Sequence, residues 1–250
     1  MGQNSPPEVL MSQHRLTLLG MIGAALVTAG ALAGCATGPS APLMPGSSPD
    51  ATASTPSAEV GAAWVDGGRS IAVVTNGSSS CPPVVSGQPN LAGTTLAVEL
   101  SESAQQECTR DMAPRATLVA LPAGVDPRQD LAVTVTGVAQ GEARLAGLAP
   151  APAATGEFSP SAGWVNDSLV AIVTYGSSTC VPSVEAVTTA GSDVAVQFAT
   201  PPADQICTMD IAPRVTLADI GREAGSGAVS LVLSGGGVDA GAPIPVLGAR

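Results

Sequence analysis

Apolar positions fall into three patterns along the chain. Leu16 to Ala33 has no charged side chain and is mostly Leu, Ala, Gly, Met and Val. From Ala36 to about Ser57 the chain is mostly Ala, Pro, Ser, Gly and Thr with almost no periodicity. Beyond that, short β-branched runs are separated by clusters of Gly, Pro, Asp and Ser. No stretch after the first run sustains helical spacing with caps at both ends. The β-branched runs predict strands at Ser70–Thr75, Thr95–Leu100, Ala116–Leu121 and Leu131–Thr136, and again at Leu169–Thr174, Asp193–Phe198, Val215–Ala218 and Ala228–Leu233. Short strands with turn signals between them suggest small sandwiches or barrels. The tails Leu145–Leu148 and Pro245–Gly248 offer a last strand to each set.

The strand pattern repeats because the sequence does. Ala63-Trp64-Val65 recurs as Gly163-Trp164-Val165, and Gly77-Ser78-Ser79-Ser80-Cys81 as Gly176-Ser177-Ser178-Thr179-Cys180. Cys108 to Leu118 recurs as Cys207 to Leu217, identical at eight of eleven positions, and the cysteines stand 27 residues apart in both copies. A period near 100 residues is a tandem duplication of a domain-sized unit and not a solenoid of short repeats. The expected organisation is a signal segment over 1–34, a stalk over 35–57, and all-β domains over 58–150 and 151–250. Copy two departs most between its cysteines, where Val187-Thr188-Thr189 replaces Gln88-Pro89-Asn90.

The first apolar run has the order of a secretory signal: His14 and Arg15, then the run, then small residues. Met11 is an alternative start, since Pro6, Pro7 and Glu8 contribute nothing to export. Leu32-Ala33-Gly34-Cys35 resembles the lipobox of bacterial lipoproteins. That resemblance implies cleavage before Cys35 and a diacylglyceryl thioether on its sulfur, with palmitate-type chains. Two acyl chains anchor stably where one is marginal. The competing reading is an uncleaved transmembrane helix, because about 18 apolar residues lie near the minimum needed to span. The Ala/Pro/Ser/Thr segment that follows buries too little apolar surface to offset its ordering entropy, which suits a flexible stalk.

Charge and composition narrow the partners. Formal charge is −11, there is no Lys, and the single His is His14, inside the signal. An acidic chain without a basic patch is a poor nucleic-acid binder. Its expected partners are the membrane, through Cys35, and an envelope protein or other ligand on the extracytoplasmic face. Abundant Ala, Gly, Pro and Arg without Lys fits a GC-rich genome.

Four cysteines remain after Cys35, and four allow three pairings. If each copy folds alone, Cys81 pairs with Cys108 and Cys180 with Cys207, in an oxidising compartment. Closing such a loop contributes roughly 3.5 kcal/mol on the loop-entropy model. Zinc is the rival, but two cysteines per copy and no His leave a four-ligand site short. The spacing excludes a CxxC redox pair. Trp64 and Trp164 read as core anchors beside the disulfides, with a ligand-stacking platform as the alternative. Asp111/Arg115 and Asp210/Arg214 flank a repeated Ala-Pro. They read as a turn held by a local ion pair or backbone hydrogen bonds, or as a clamp for a carboxylate or phosphate.

Catalytic chemistry finds little support. The Ser runs before Cys81 and Cys180 would need His or Lys as base, and the mature chain has neither. Only Asp111 and Asp210 match between copies, one carboxylate per unit where glycoside hydrolysis needs two. There is no P-loop, dinucleotide fingerprint or EF-hand loop. No catalytic, cofactor-binding or metal residue is therefore assigned, and no enzyme activity is expected. A carboxylate-based envelope enzyme with its site between the domains, or a purely structural envelope component, stand as alternatives to a binding module.

The W-x(11–12)-G-S-S-[ST]-C unit, followed 27 residues after its Cys by C-T-x-D-x-A-P-R-x-T-L, resembles uncharacterised secreted, lipobox-bearing proteins of actinobacteria. The resemblance covers about 63–137 and 163–235. It implies location and transfers no catalytic residue.

Overall fold

The computed structural model describes residues 59–104, 107–153, 155–190, 193–221, 224, 227–238 and 241–250. The signal segment, the lipobox with Cys35 and the stalk lie outside the described residues. Among those described, no helix is long and apolar enough to cross a membrane.

The chain is all-β. The first copy contributes β1 (Gly61–Val65), β2 (Ser70–Gly77), β3 (Val84–Val85), β4 (Asn90–Ala92), β5 (Thr95–Ser101), β6 (Ala113–Ala120), β7 (Leu131–Gly137) and β8 (Gly141–Leu145). The second contributes β9 (Ser161–Trp164), β10 (Leu169–Gly176), β11 (Val184–Ala190), β12 (Asp193–Phe198), β13 (Ala212–Asp219), β14 (Ser230–Gly235) and β15 (Ile244–Leu247). Each predicted run falls on a strand; β1 and β9, which carry Trp64 and Trp164, and β3, β4 and β11 are not among the predicted runs.

Burial separates two kinds of strand. The outer strands β5 and β12 alternate exposed and buried residues, as a sheet with one wet face must. The inner strand β2 is buried at every position from Ser70 to Thr75, and β10 from Val170 to Thr174. Continuous burial means that both faces of these strands are covered. On one face Ile71, Val73 and Val119 meet Leu96, Val98, Leu100, Val133 and Val135 of the outer sheet. In the second copy Val170 and Ile172 meet Val194, Val196, Phe198, Leu231 and Leu233. On the other face Ala63, Val65 and Ala72 pack directly against Ala171 and Val173 of the other copy. The layers therefore run outer, inner, inner, outer, with three apolar clusters between them.

Small residues let the two inner sheets approach. A Cβ on Gly163 would lie 1.9 Å from the Trp64 carbonyl oxygen, so only glycine fits where the first copy carries Ala63. A Cβ on Gly61 would lie 2.7 Å from Val165 Cγ1, and the Asp66 N–H donates to Ser161 Oγ at 2.7 Å. Start of β1 against end of β9, and end of β1 against start of β9, makes the two strands antiparallel. The copies are thus packed head to tail. At this seam Arg69 pairs with Asp66 at 2.6 Å and donates to Thr155 at 2.9 Å, while Phe158 meets Tyr175 edge-to-face.

The copies close differently. Parallel pairs β5–β7 and β12–β14 occur in both. In the second copy β15 pairs with β14 and with β9, joining inner and outer strands into one seven-stranded sheet. In the first copy β8 pairs with β7, and the inner β1-β2-β6 sheet remains separate. There the Trp64 indole N–H bridges the gap, donating to the Ala146 carbonyl at 2.8 Å.

Candidate functional site: two stapled tips

Each inner hairpin strand ends in a loop that carries the Ser run and a cysteine. Cys81 is bonded to Cys108 and Cys180 to Cys207, with Cα–Cα separations of 5.5 and 5.6 Å. No bond crosses between the copies. The bonds tie the loop after β2 to the segment before β6, and the loop after β10 to the segment before β13.

The Asp and Arg of the repeated motif hold this tip without pairing to each other. Asp111 Oδ1 accepts from the Ser79 N–H at 3.1 Å and from the Thr109 hydroxyl. Asp210 Oδ1 does the same with the Ser178 N–H, at 3.1 Å, and the Thr208 hydroxyl. Ser78 contacts Thr109 at 2.9 Å, and Ser177 contacts Thr208 at 2.8 Å. Arg115 Nη1 donates to the Cys81 carbonyl at 2.7 Å and the Ser78 carbonyl at 3.2 Å. Arg214 Nη1 donates to the Cys180 carbonyl at 2.9 Å, and its Nη2 to the Tyr175 carbonyl at 3.1 Å. Thr117 and Thr216 complete the match by donating to the carbonyls of Pro83 and Pro182. The guanidiniums lie over Gly77 and Gly176, where a Cβ would come within 2.5 and 2.8 Å of Cζ.

This network sets the electrostatics. Hydrogen bonds from the Ser79 side chain, then the Thr109 hydroxyl, then the Ser79 amide hold the Asp111 carboxyl far below the usual carboxylate range. Thr208, then Ser178, bring Asp210 down to about 2. Carboxylates so well solvated by donors are weak bases. Burial lowers the pKa of Arg214. Beside the first bond lies a cleft of about 280 Å³, bordered by Ser78, Pro83, Glu102, Ser103, Arg115 and Val138. Arg115 reaches it with Nη1 already committed to backbone carbonyls.

The tryptophans lie elsewhere than expected. Trp64 stands opposite Ile71, and Trp164 opposite Val170, at the ends of β2 and β10 remote from Gly77 and Gly176 and hence from the disulfides. Both are buried. The Arg250 guanidinium lies 4.5 Å from the centre of the Trp164 ring. Neither ring is placed as an open stacking platform.

The residues that distinguish the tips were not singled out from the sequence. They are Pro82, Glu107, Arg110 and Met112 in the first copy, and Val181, Ile206, Met209 and Ile211 in the second. The variable positions inside the otherwise matching C-T-x-D-x-A-P-R motif were the available signal. The chain matches no protein-family model, no curated protein and no solved structure.

Proposed function

We propose that this chain is a lipid-anchored protein of the extracytoplasmic membrane face, held through Cys35, that acts as a binding module for an envelope partner. The observation that carries the binding role is the pair of loop tips, each fixed by a disulfide, an Asp and an Arg on a rigid β body. Loops positioned by a rigid scaffold are where binding residues concentrate. Pre-ordering them lowers the entropy cost of association. The lipobox and the stalk composition support the anchoring role. The Ser hydroxyls are engaged with Thr109 and Thr208, and the nearby carboxylates are weak bases, which favours binding over nucleophilic catalysis.

Detergent phase partitioning and intact mass of the native protein test the anchor. The expected result is an N-terminal Cys35 carrying acyl mass, with Cys35→Ala moving the protein to the aqueous phase or leaving it uncleaved. A mature N-terminus elsewhere, without acyl mass, would overturn the anchoring claim.

A further inference from the structure

The two tips share one hydrogen-bond network and differ in what they display. Val181 and Ile206 adjoin the two cysteines of the second bond, so the disulfide brings them together, and Met209 and Ile211 follow on the same segment. Ile206 is 91% exposed, Ile211 64%, Val181 52%, and Met209 is fully exposed. The first copy builds the same network with Glu107 at the position of Ile206 and Arg110 at that of Met209. Folding the tip therefore does not call for apolar side chains there. Large exposed apolar residues in one cluster mark an interaction surface, and Met adapts its shape to a partner.

Three occupants compete, and charge decides between them. The charged residues that neighbour these four side chains in sequence are Asp204 and Asp210. Arg214 is buried beneath the tip with its donors on Cys180 and Tyr175. A second copy would bring the same two carboxylates and another chain of charge −11 against them. An anionic lipid surface repels them likewise. Head-to-tail packing also places this tip at the far end from where the chain enters the first copy at Glu59, since Gly61 pairs with Val74 near the first tip.

Resting on the binding role proposed above, we infer that the second tip docks a protein partner through an apolar recess rimmed by Lys or Arg. Val181, Ile206, Met209 and Ile211 fill the recess, and Asp204 and Asp210 face its rim. The first tip keeps an exposed apolar residue, Met112, at the position of Ile211, but carries Glu107 and Arg110 in place of Ile206 and Met209, and does not bind this partner. Electrostatic complementarity of this kind supplies specificity and association rate, while the apolar anchors supply most of the affinity.

The test uses the full chain in intact producing cells, with a photo-cross-linking amino acid at Gln205 and, in a matched chain, at Glu107. The expected result is one protein adduct from position 205 and none of that mass from position 107. Its cross-linked peptide should carry Lys or Arg. The double substitution Ile206→Glu/Met209→Arg installs the first copy's residues and should reduce the adduct about tenfold or more. Washing the cells from about 0.1 M to about 1 M salt before irradiation should weaken it, as the screening length falls from about 10 to about 3 Å. Three results would overturn the inference. One is an adduct of twice the chain's own mass, another is tip-dependent co-sedimentation of the purified protein with phosphatidylglycerol vesicles, and the third is no adduct from position 205. Adducts are read in both detergent and aqueous phases, so loss of the anchoring claim leaves this readout standing.

Discussion

The two copies compare a shared frame with unshared surfaces. Both carry the disulfide, the Asp–Ser–Thr cluster, the Arg over a glycine and the parallel strand pair. They part at the tips, where Glu107 and Arg110 stand against Ile206 and Met209, and at closure, where β15 joins two sheets that remain apart in the first copy. What was kept is the part that fixes backbone geometry. At the tips, what changed faces solvent, while buried changes such as Ala63 against Gly163 fit the two copies to each other. That division argues that duplication preserved a loop-presenting device and left each loop's chemistry free to diverge.

The disulfides test the shared frame most severely. Their closed loops are the same length, so Cys81→Ala/Cys108→Ala and Cys180→Ala/Cys207→Ala should each destabilise by about 2–5 kcal/mol, and by similar amounts. Chemical unfolding of both double variants checks this. An effect confined to one copy would mean that the second staple is incidental.

The arginines should separate the copies. Each arginine donates to two backbone carbonyls, but Arg214 is buried, whereas Arg115 is partly exposed. Replacing either by Met leaves carbonyls without their donor, at a cost of about 1–3 kcal/mol, and Arg214→Met should sit at the upper end. Equal losses would show that the difference in burial does not matter to the tip.

Acid should release the Asp clusters in order. A carboxyl held below its unfolded value, about 3.9, stabilises the fold fully above that value. The stabilisation is lost as pH falls through the folded value, which is about 2 for Asp210 and lower for Asp111. Relative to wild type, Asp210→Asn and Asp111→Asn should therefore be destabilised near neutrality, with the gap shrinking below about pH 4. Thermal melting from pH 7 down to pH 2 reads this directly. A gap that widens on acidification would contradict the assignment.

How much of this was legible in the sequence depends on what each residue reports. Repeated cysteines at one spacing announced the intra-copy bonds, and alternating Leu96, Val98 and Leu100 announced a strand with one wet face. The unbroken run Ile71-Ala72-Val73-Val74 also carried information: a strand apolar on both faces has two layers to cover, and the second layer proved to be the other copy. Head-to-tail packing was not legible, because the decisive contact, Gly163 against the Trp64 carbonyl, is a matter of missing volume and not of a pattern. Asp111 and Arg115 stood out together as a turn held by a local ion pair or by backbone hydrogen bonds. The backbone hydrogen bonds are present, but they reach the opposite loop, more than thirty residues away in sequence, and the Ala113-Pro114 between the two opens β6 and is no turn. Trp64 was legible as buried but not as remote from the disulfide, since its position follows from the β1–β2 register.

The central claim is that the network holds the tip and the variable side chains only decorate it. Exchanging the decoration measures this: Ile206→Glu/Met209→Arg in one variant and Glu107→Ile/Arg110→Met in another, each unfolded in denaturant. The account predicts both variants within about 0.5 kcal/mol of wild type, the range of neutral surface changes, with both disulfides intact. A loss of about 2 kcal/mol or more in either variant would contradict it, because the exposed residues would then be part of what holds the tip together.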